Sequence, residues 1–362
     1  MILNNVTKAK DFELYTDQEL EAIFKEILDG IKQVDKKAQD VMVDRLANKC
    51  KPVGALGVLE DVAIKLAGVQ RTGKPEITGK AVLVMSGDHG VIEEGVSQCE
   101  QSLTDSMFHI FLENKGGINV LANHVGAKVI CTDVAMASEP TEANSAQWRI
   151  TNGTKNFAKE SAASRREVLL ALLIGAKIAI DEVAEGNNLL ATGEVGMANT
   201  TPSSALISFF TGRPAADVTN RGTGINDIAL ERKVKVIDEA IAKHQPHADD
   251  PVDVLSKIGG LEIAANVGAI LGGAYAGAAT ILDGIISNAA GLVAYKFKAD
   301  IVDYLIASHS SAEHGGPIAL EAMGLKPCLN MGMRLGEGTG AALMFPICEA
   351  SIKVANEMGD YA

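Results

Sequence analysis

The 362-residue chain is short of cysteine, of positive charge and of every common nucleotide-binding signature. Its five cysteines, Cys50, Cys99, Cys131, Cys328 and Cys348, are odd in number and include no C-x-x-C pair, which argues against a disulfide framework or a zinc ribbon and fits a reducing, cytoplasmic setting. Lys and Arg total 33 against 46 Asp and Glu, a net charge of −13, so there is no general footprint for nucleic acid or an anionic membrane. The start, MILNNVTKAKDFELY, carries no signal-peptide apolar region. No G-x-x-x-x-G-K-[ST] loop occurs, and no G-x-G-x-x-G stands between a strand and a helix. Aromatics are 4%, charged residues 22% and hydrophobic residues 47%, values of an ordinary globular chain that exclude a disordered or fibrous one.

One stretch, Ile263 to Leu282, is uncharged and long enough to span a bilayer, with Gly268-x-x-x-Gly272 spacing inside it. It is rich in Ala and Gly and poor in Leu and Phe, so it is read as a buried helix followed by a short strand, Thr280–Leu282. Upstream, Thr16 and Glu19 have the form of a capping box, and the apolar spacing Leu20, Ile23, Phe24, Ile27, Leu28, Ile31 predicts helix reaching as far as Asn48. Residues 71–80 read as a connection.

From Ala81 onward one unit recurs: a short apolar run, then small polar residues, then a helical pattern. The runs are Ala81–Met85, Lys128–Cys131, Asn188–Thr192, Thr280–Leu282 and Ile301–Ile306, and a helix capped at Ser164 runs to about Glu185. The pattern predicts an α/β fold with a mostly parallel, Rossmann-like sheet flanked by helices. Ligands of such sheets bind beyond the carboxyl ends of the strands, where the Gly- and Ser/Thr-rich segments fall.

Three of those segments carry chemistry. Gly193 to Ala205 combines Gly193 and Gly196 with Asn199, Thr200 and Thr201 ahead of Pro202 and a helix, a form that suits either a phosphate cradle or a capped strand-to-helix turn. Asn220-Arg-Gly-Thr-Gly224 reads, by itself, as a surface turn. In Arg334-Leu-Gly-Glu-Gly-Thr-Gly-Ala341, Glu337 stands between glycines before an apolar helix, either as a shielded base or as a helix-start carboxylate. Asp88 and His89 are neighbours and seldom would face each other, so His89 is read as structural. Ser308-His-Ser-Ser311 with Glu313 and His314 lacks workable metal-ligand spacing.

Together these segments resemble the nicotinate-nucleotide:dimethylbenzimidazole phosphoribosyltransferase family. The resemblance rests on Gly87-Asp-His-Gly90, Gly193-Glu-Val-Gly-Met-Ala-Asn-Thr-Thr-Pro202, Asp253-Val-Leu-Ser-Lys-Ile-Gly-Gly260, Leu282-Asp-Gly284, Ser308-His-Ser-Ser-Ala-Glu313 and Met333-Arg-Leu-Gly-Glu-Gly338, and runs from about Ala81 to the C-terminus. It implies transfer of phosphoribose from nicotinate mononucleotide to an aromatic base, with inversion at ribose C1, for cobamide assembly. It implies Glu337 as general base and Glu194 as second carboxylate. The donor's phosphate and ribose would lie on Gly196, Asn199, Thr200, Gly222, Lys233 and Ser311. The acceptor would lie against Asp88, Cys99, Met107 and Leu335. No metal or cofactor is implied. A large catalytic domain over 75–330, a small helical domain from 1–74 plus 331–362, and a homodimer or a heterodimer with a paralogue are. The segment Ser97-Gln-Cys-Glu100 departs from the Ser-x-Tyr-Pro-like stretch of many members, which opens the acceptor to purines or phenols. Two alternatives remain at this level: a silent nucleotide-binding paralogue, and a magnesium–pyrophosphate-dependent transferase.

Overall fold

The computed structural model describes residues 2–139 and 146–361. Five parallel strands make one sheet: β1 (Lys80–Gly87), β2 (Lys128–Ala135), β3 (Leu189–Val195), β4 (Ala279–Leu282) and β5 (Leu305–Ala307), in the spatial order β2-β1-β3-β4-β5. The helices, in chain order, are α1 (Asp17–Gly30), α2 (Lys36–Ala47), α3 (Val58–Gln70), α4 (Leu103–Leu112), α5 (Gly117–His124), α6 (Arg165–Ala184) and α7 (Thr200–Thr211). They continue with α8 (Ala215–Val218), α9 (Asp227–His244), α10 (Pro251–Ile258), α11 (Leu261–Ala276), α12 (Ile285–Phe297), α13 (Gly315–Ala322) and α14 (Thr339–Glu357). The expected parallel α/β sheet is therefore present. Its order is one of the two common doubly wound orders, with the reversal of direction between β1 and β3.

Every residue of β3 is buried. Successive strand residues point to opposite faces, so both faces of the sheet are covered at its centre. Helix α11 packs on β1 and β3, and α14 packs on β3 and β4. The uncharged stretch is helix α11 followed by β4, as read. Its glycines serve a close helix crossing: a Cβ on Gly268 would stand 1.9 Å from the Leu172 carbonyl oxygen of α6, and one on Gly175 would stand 1.8 Å from that of Ala265. Small-residue spacing of the kind used between membrane helices here lets two buried helices of a globular core touch backbone to backbone. Among the described residues no helix is long and apolar enough to cross a membrane.

One sequence expectation is refined and one fails locally. The helical region does extend to Ala47, with Asn48 as its cap, but as two helices, because Asp35 caps a new one, its Oδ1 accepting from the N–H groups of Lys37 (3.0 Å) and Ala38 (3.2 Å). The strand read at Ile301–Ile306 is strand only from Leu305; Ala299–Tyr304 is a 3-10 turn. Ile301 and Tyr304 are three residues apart and both buried, which suits three residues per turn, and the Tyr304 hydroxyl donates to the Lys32 carbonyl at 2.7 Å. At the chain ends, α2, α3 and α14 surround a small separate core of Met42, Leu46, Ala63, Ala67 and Ala355, while α1 packs on α6 and α11.

Candidate active site

A cavity of about 350 Å³ opens at the carboxyl ends of β3, β4 and β5, next to the point where the strand order reverses. Of the residues singled out from sequence, Glu194, Gly196, Asn199, Thr200, Gly222, Ser311, Glu337, Cys99, Met107 and Leu335 line it together. They come from segments up to 238 positions apart, Cys99 to Glu337. Lys233 and Asp88 lie just behind its wall.

The phosphate-sized part is built from three segments. Thr200 begins α7, and Gly222, at φ +52°, turns the 220–224 loop back against it, so that a Cβ there would sit 2.9 Å from Thr200 Oγ1. Lys233 of α9 is fully buried beneath them, and its Nζ donates to Thr200 Oγ1 (2.7 Å) and the Asn220 carbonyl (3.3 Å). Burial pushes its ammonium down to about 8, opposed by the negative Glu313. A cation under a helix start and a hydroxyl is the arrangement that receives an anion. The 220–224 segment is thus part of the cavity and more than a surface turn. Gly196 permits a second close approach: a Cβ would lie 2.1 Å from the Gly87 carbonyl oxygen. Gly196→Ala forces β1 and β3 apart where they end, at a cost of about 1–3 kcal/mol. We expect a lower melting temperature and at least tenfold weaker inorganic phosphate binding, measured by calorimetry; an unchanged protein would refute the close packing.

Two carboxylates, Glu194 and Glu337, are buried in the cavity wall. Glu194, at the end of β3, accepts from Asn199 Nδ2 and, through Oε1, from the Glu337 backbone N–H at 3.2 Å. Burial pushes its carboxyl up to about 8, helped by the negative Asp283 and Glu262. Glu337 adopts φ +65°, the left-handed region, which for a residue with a side chain costs on the order of 1–3 kcal/mol and persists where surrounding contacts enforce it. Here they do: its N–H is held by Glu194, and the next turn is held by Asp283, whose carboxylate accepts from the N–H groups of Gly338 (3.2 Å), Gly340 (2.7 Å) and Ala341 (3.0 Å). The strained turn aims the Glu337 carboxylate at the start of α5, where Oε2 accepts from the Ile118 N–H at 3.0 Å. Its pKa is raised, chiefly by burial and further by Asp283, against the lowering effect of the Ile118 and Gly117 amides. The helix-start reading of Glu337 therefore holds for α5 and not for α14, which follows it in sequence.

The apolar part of the lining is Val96, Leu103, Met107, Met197 and Leu335, with Cys99 also in the wall. Leu335 is 62% exposed at the mouth. Asp88 does not face the cavity. Its Oδ1 accepts from Thr104 Oγ1 (2.6 Å), which accepts from the Met197 N–H (3.0 Å), so Asp88 braces the wall from behind. His89 turns the other way, to Glu262 at 2.9 Å, both buried. Sequence reasoning passed over Glu313, His309 and Arg334 as site residues, and all three line the cavity. All three stand in motifs that carry the resemblance, Ser308–Glu313 and Met333–Gly338, which assign a role only to Ser311, Leu335 and Glu337. Among the described residues no group of three or more His, Cys, Asp or Glu is placed to hold a metal.

Comparisons with known proteins match the chain over most of its length. A family model described as a phosphoribosyltransferase matches residues 31–362, well upstream of Ala81 where the motif resemblance begins. The nicotinate-nucleotide–dimethylbenzimidazole phosphoribosyltransferase of Desulforamulus reducens is 45% identical over 339 residues, 93% of this chain and 97% of that one. Its namesake in a Geobacter species is 44% identical over 91% of this chain and 95% of its own. The crystal structure of the Thermus thermophilus enzyme of the same name superposes with a TM-score of 0.85 at 36% identity, covering 90% of this chain and 97% of that one.

Proposed function

Because the chain belongs to the nicotinate-nucleotide–dimethylbenzimidazole phosphoribosyltransferase family, we propose that it moves phosphoribose from nicotinate mononucleotide to 5,6-dimethylbenzimidazole or a related aromatic base, in cobamide assembly. One observation carries the reading. A single cavity brings together an anion cradle, an apolar stretch of wall and two buried carboxylates.

The donor's phosphate rests on Thr200, Gly222 and Ser311 above Lys233, with Gly196 and Asn199 closing the ribose side. The acceptor lies among Cys99, Met107 and Leu335, on the wall that Asp88 braces. The acceptor nitrogen forms its bond to C1 as the C1–pyridine bond breaks and its electron pair leaves with nicotinate. Attack from the face opposite the leaving group inverts C1. Glu337 takes the proton from the acceptor nitrogen, and its raised pKa makes it a better base than an ordinary carboxylate. Positive charge developing on the ribose is met by Glu194 in its ionised form, which burial makes the minor one at neutral pH and which the developing positive charge itself favours. Holding donor and acceptor in line within one cavity supplies much of the rate. In this reading the protein works in the cytoplasm as a homodimer or beside a paralogue, with the 1–74 and 331–362 segments as a helical unit apart from the 75–330 catalytic body.

The test is an acceptor screen by mass spectrometry, with nicotinate mononucleotide and dimethylbenzimidazole, benzimidazole, adenine, phenol or p-cresol. Nicotinate release with an α-ribotide of one acceptor is expected. Donor binding without any product would point to a silent paralogue, and a requirement for magnesium and pyrophosphate donor to another transferase class. Donor binding also has an expected pH limit. Lys233 loses its charge as pH rises through about 8, so the Kd of inorganic phosphate should climb above that pH and be flat there in Lys233→Met. A wild-type affinity that stays level to pH 10 would remove Lys233 from the cradle.

A further inference from the structure

Besides Arg334, another charged group in the cavity has no part in the transfer as set out above. Glu313 lies between β5 and α13, lines the cavity and is 4% exposed. Its backbone N–H donates to Ser311 Oγ at 3.2 Å, which fixes it beside the phosphate cradle. Its Oε2 is buried with no hydrogen-bond partner among the described residues. The neighbouring cation does not supply one: Lys233 Nζ donates to Thr200 and Asn220 instead. Buried carboxylate oxygens are ordinarily hydrogen-bonded, because an unpaired one keeps the whole cost of leaving water. An exception in a cavity wall marks a place where a ligand brings the donors.

We propose that Glu313 binds the ribose diol of the donor nucleotide, its carboxylate accepting from the 2- and 3-hydroxyls while the adjoining cradle holds the 5-phosphate. This rests on the transfer reading for the identity of the ligand. The chemistry fits on two counts. A carboxylate offers two acceptor oxygens and no donor, which matches two vicinal hydroxyls. Ser311 joins Glu313 to the cradle, and diol and phosphate are neighbours on one sugar. Service as a counter-ion to Lys233 alone would leave Oε2 without a partner in the loaded site as well.

The test needs neither acceptor nor turnover. Calorimetry compares ribose 5-phosphate, 2-deoxyribose 5-phosphate and inorganic phosphate on wild type, Glu313→Gln and Glu313→Ala. Wild type should bind ribose 5-phosphate at least tenfold more tightly than the deoxy sugar, as expected for a hydrogen bond to a charged group. The preference should shrink in Glu313→Gln and vanish in Glu313→Ala, while inorganic phosphate still binds to both. The proposal is overturned if wild type shows no preference, if the preference survives in Glu313→Ala, or if both variants lose inorganic phosphate, which would make Glu313 a prop of the cradle. Failure of the transfer reading shows separately, as no nicotinate released from nicotinate mononucleotide by wild type.

Discussion

Glu337→Gln lowers turnover by about 10²–10⁴-fold, the usual range for losing a positioned general base, and leaves the affinity for nicotinate mononucleotide within a few-fold of wild type. The two halves of this result come from different parts of the cavity. The phosphate cradle is made by Thr200, Gly222 and Lys233, which are held against one another, while the Glu337 carboxylate is held by the Ile118 N–H. The variant's amide oxygen can still accept from the Ile118 N–H, as Glu337 Oε2 does at 3.0 Å, so the turn at φ +65° survives the substitution. What is lost is only the ability to take a proton. The pH dependence follows with its sign: burial raises the Glu337 pKa, the protonated form is inert as a base, and wild-type kcat/KM rises with pH through a value above the ordinary carboxylate range. Steady-state kinetics with a calorimetric donor Kd decide the matter. A tenfold or smaller drop in turnover would take the base role away from Glu337.

The fold was legible in the sequence for a simple reason. Strands buried on both faces are continuous apolar runs, and five such runs, each ending in small polar residues, announce a parallel sheet and the edge where its ligands bind. Elements set by contacts distant in sequence were less legible. Ile301–Tyr304 is as apolar as a strand, and only its burial against the helical layer, with Tyr304 tied to Lys32, makes it a 3-10 turn. The site followed the same division. Glu337 between glycines is a visible oddity, but nothing nearby in sequence says that its partner is the amide of Ile118, 219 positions away. Lys233 sits in the middle of an unremarkable helix, and only the resemblance picked it out. Asp88 stands in a visible motif whose resemblance puts it in the acceptor site, whereas its carboxylate lies behind the cavity wall, bonded to Thr104 and through it to Met197. Glu313 stands in a visible motif, but its role is not legible there, because a buried oxygen lacking a partner is a property of three-dimensional surroundings, not of composition.

Asp283→Asn tests how the strained turn is held, and its effect on stability should exceed that of any substitution on the cavity surface. The Asp283 carboxylate receives three backbone N–H groups, from Gly338, Gly340 and Ala341 at the start of α14. Burial raises its pKa, while those amides and His309 favour the charged form. A carboxylate accepts with both oxygens, but an asparagine has one acceptor and an NH₂ that must face at least one N–H. A buried donor left opposite another donor costs about 1–3 kcal/mol, and losing the charge at a helix start about 0.3–1 kcal/mol more. The melting temperature should fall by several degrees. The Glu337 turn, released at its downstream end, should place the base less well and reduce kcat. A merely structural prop would stop there. Asp283, however, also raises the pKa of both Glu194 and Glu337 by like-charge repulsion. Removing that charge makes both carboxyls easier to ionise, so the acid limb of kcat/KM should move to lower pH in Asp283→Asn. A variant that melts early yet keeps the wild-type limb would show that Asp283 anchors the turn without tuning the carboxylates. A variant of unchanged stability would show that the three amides do not depend on it.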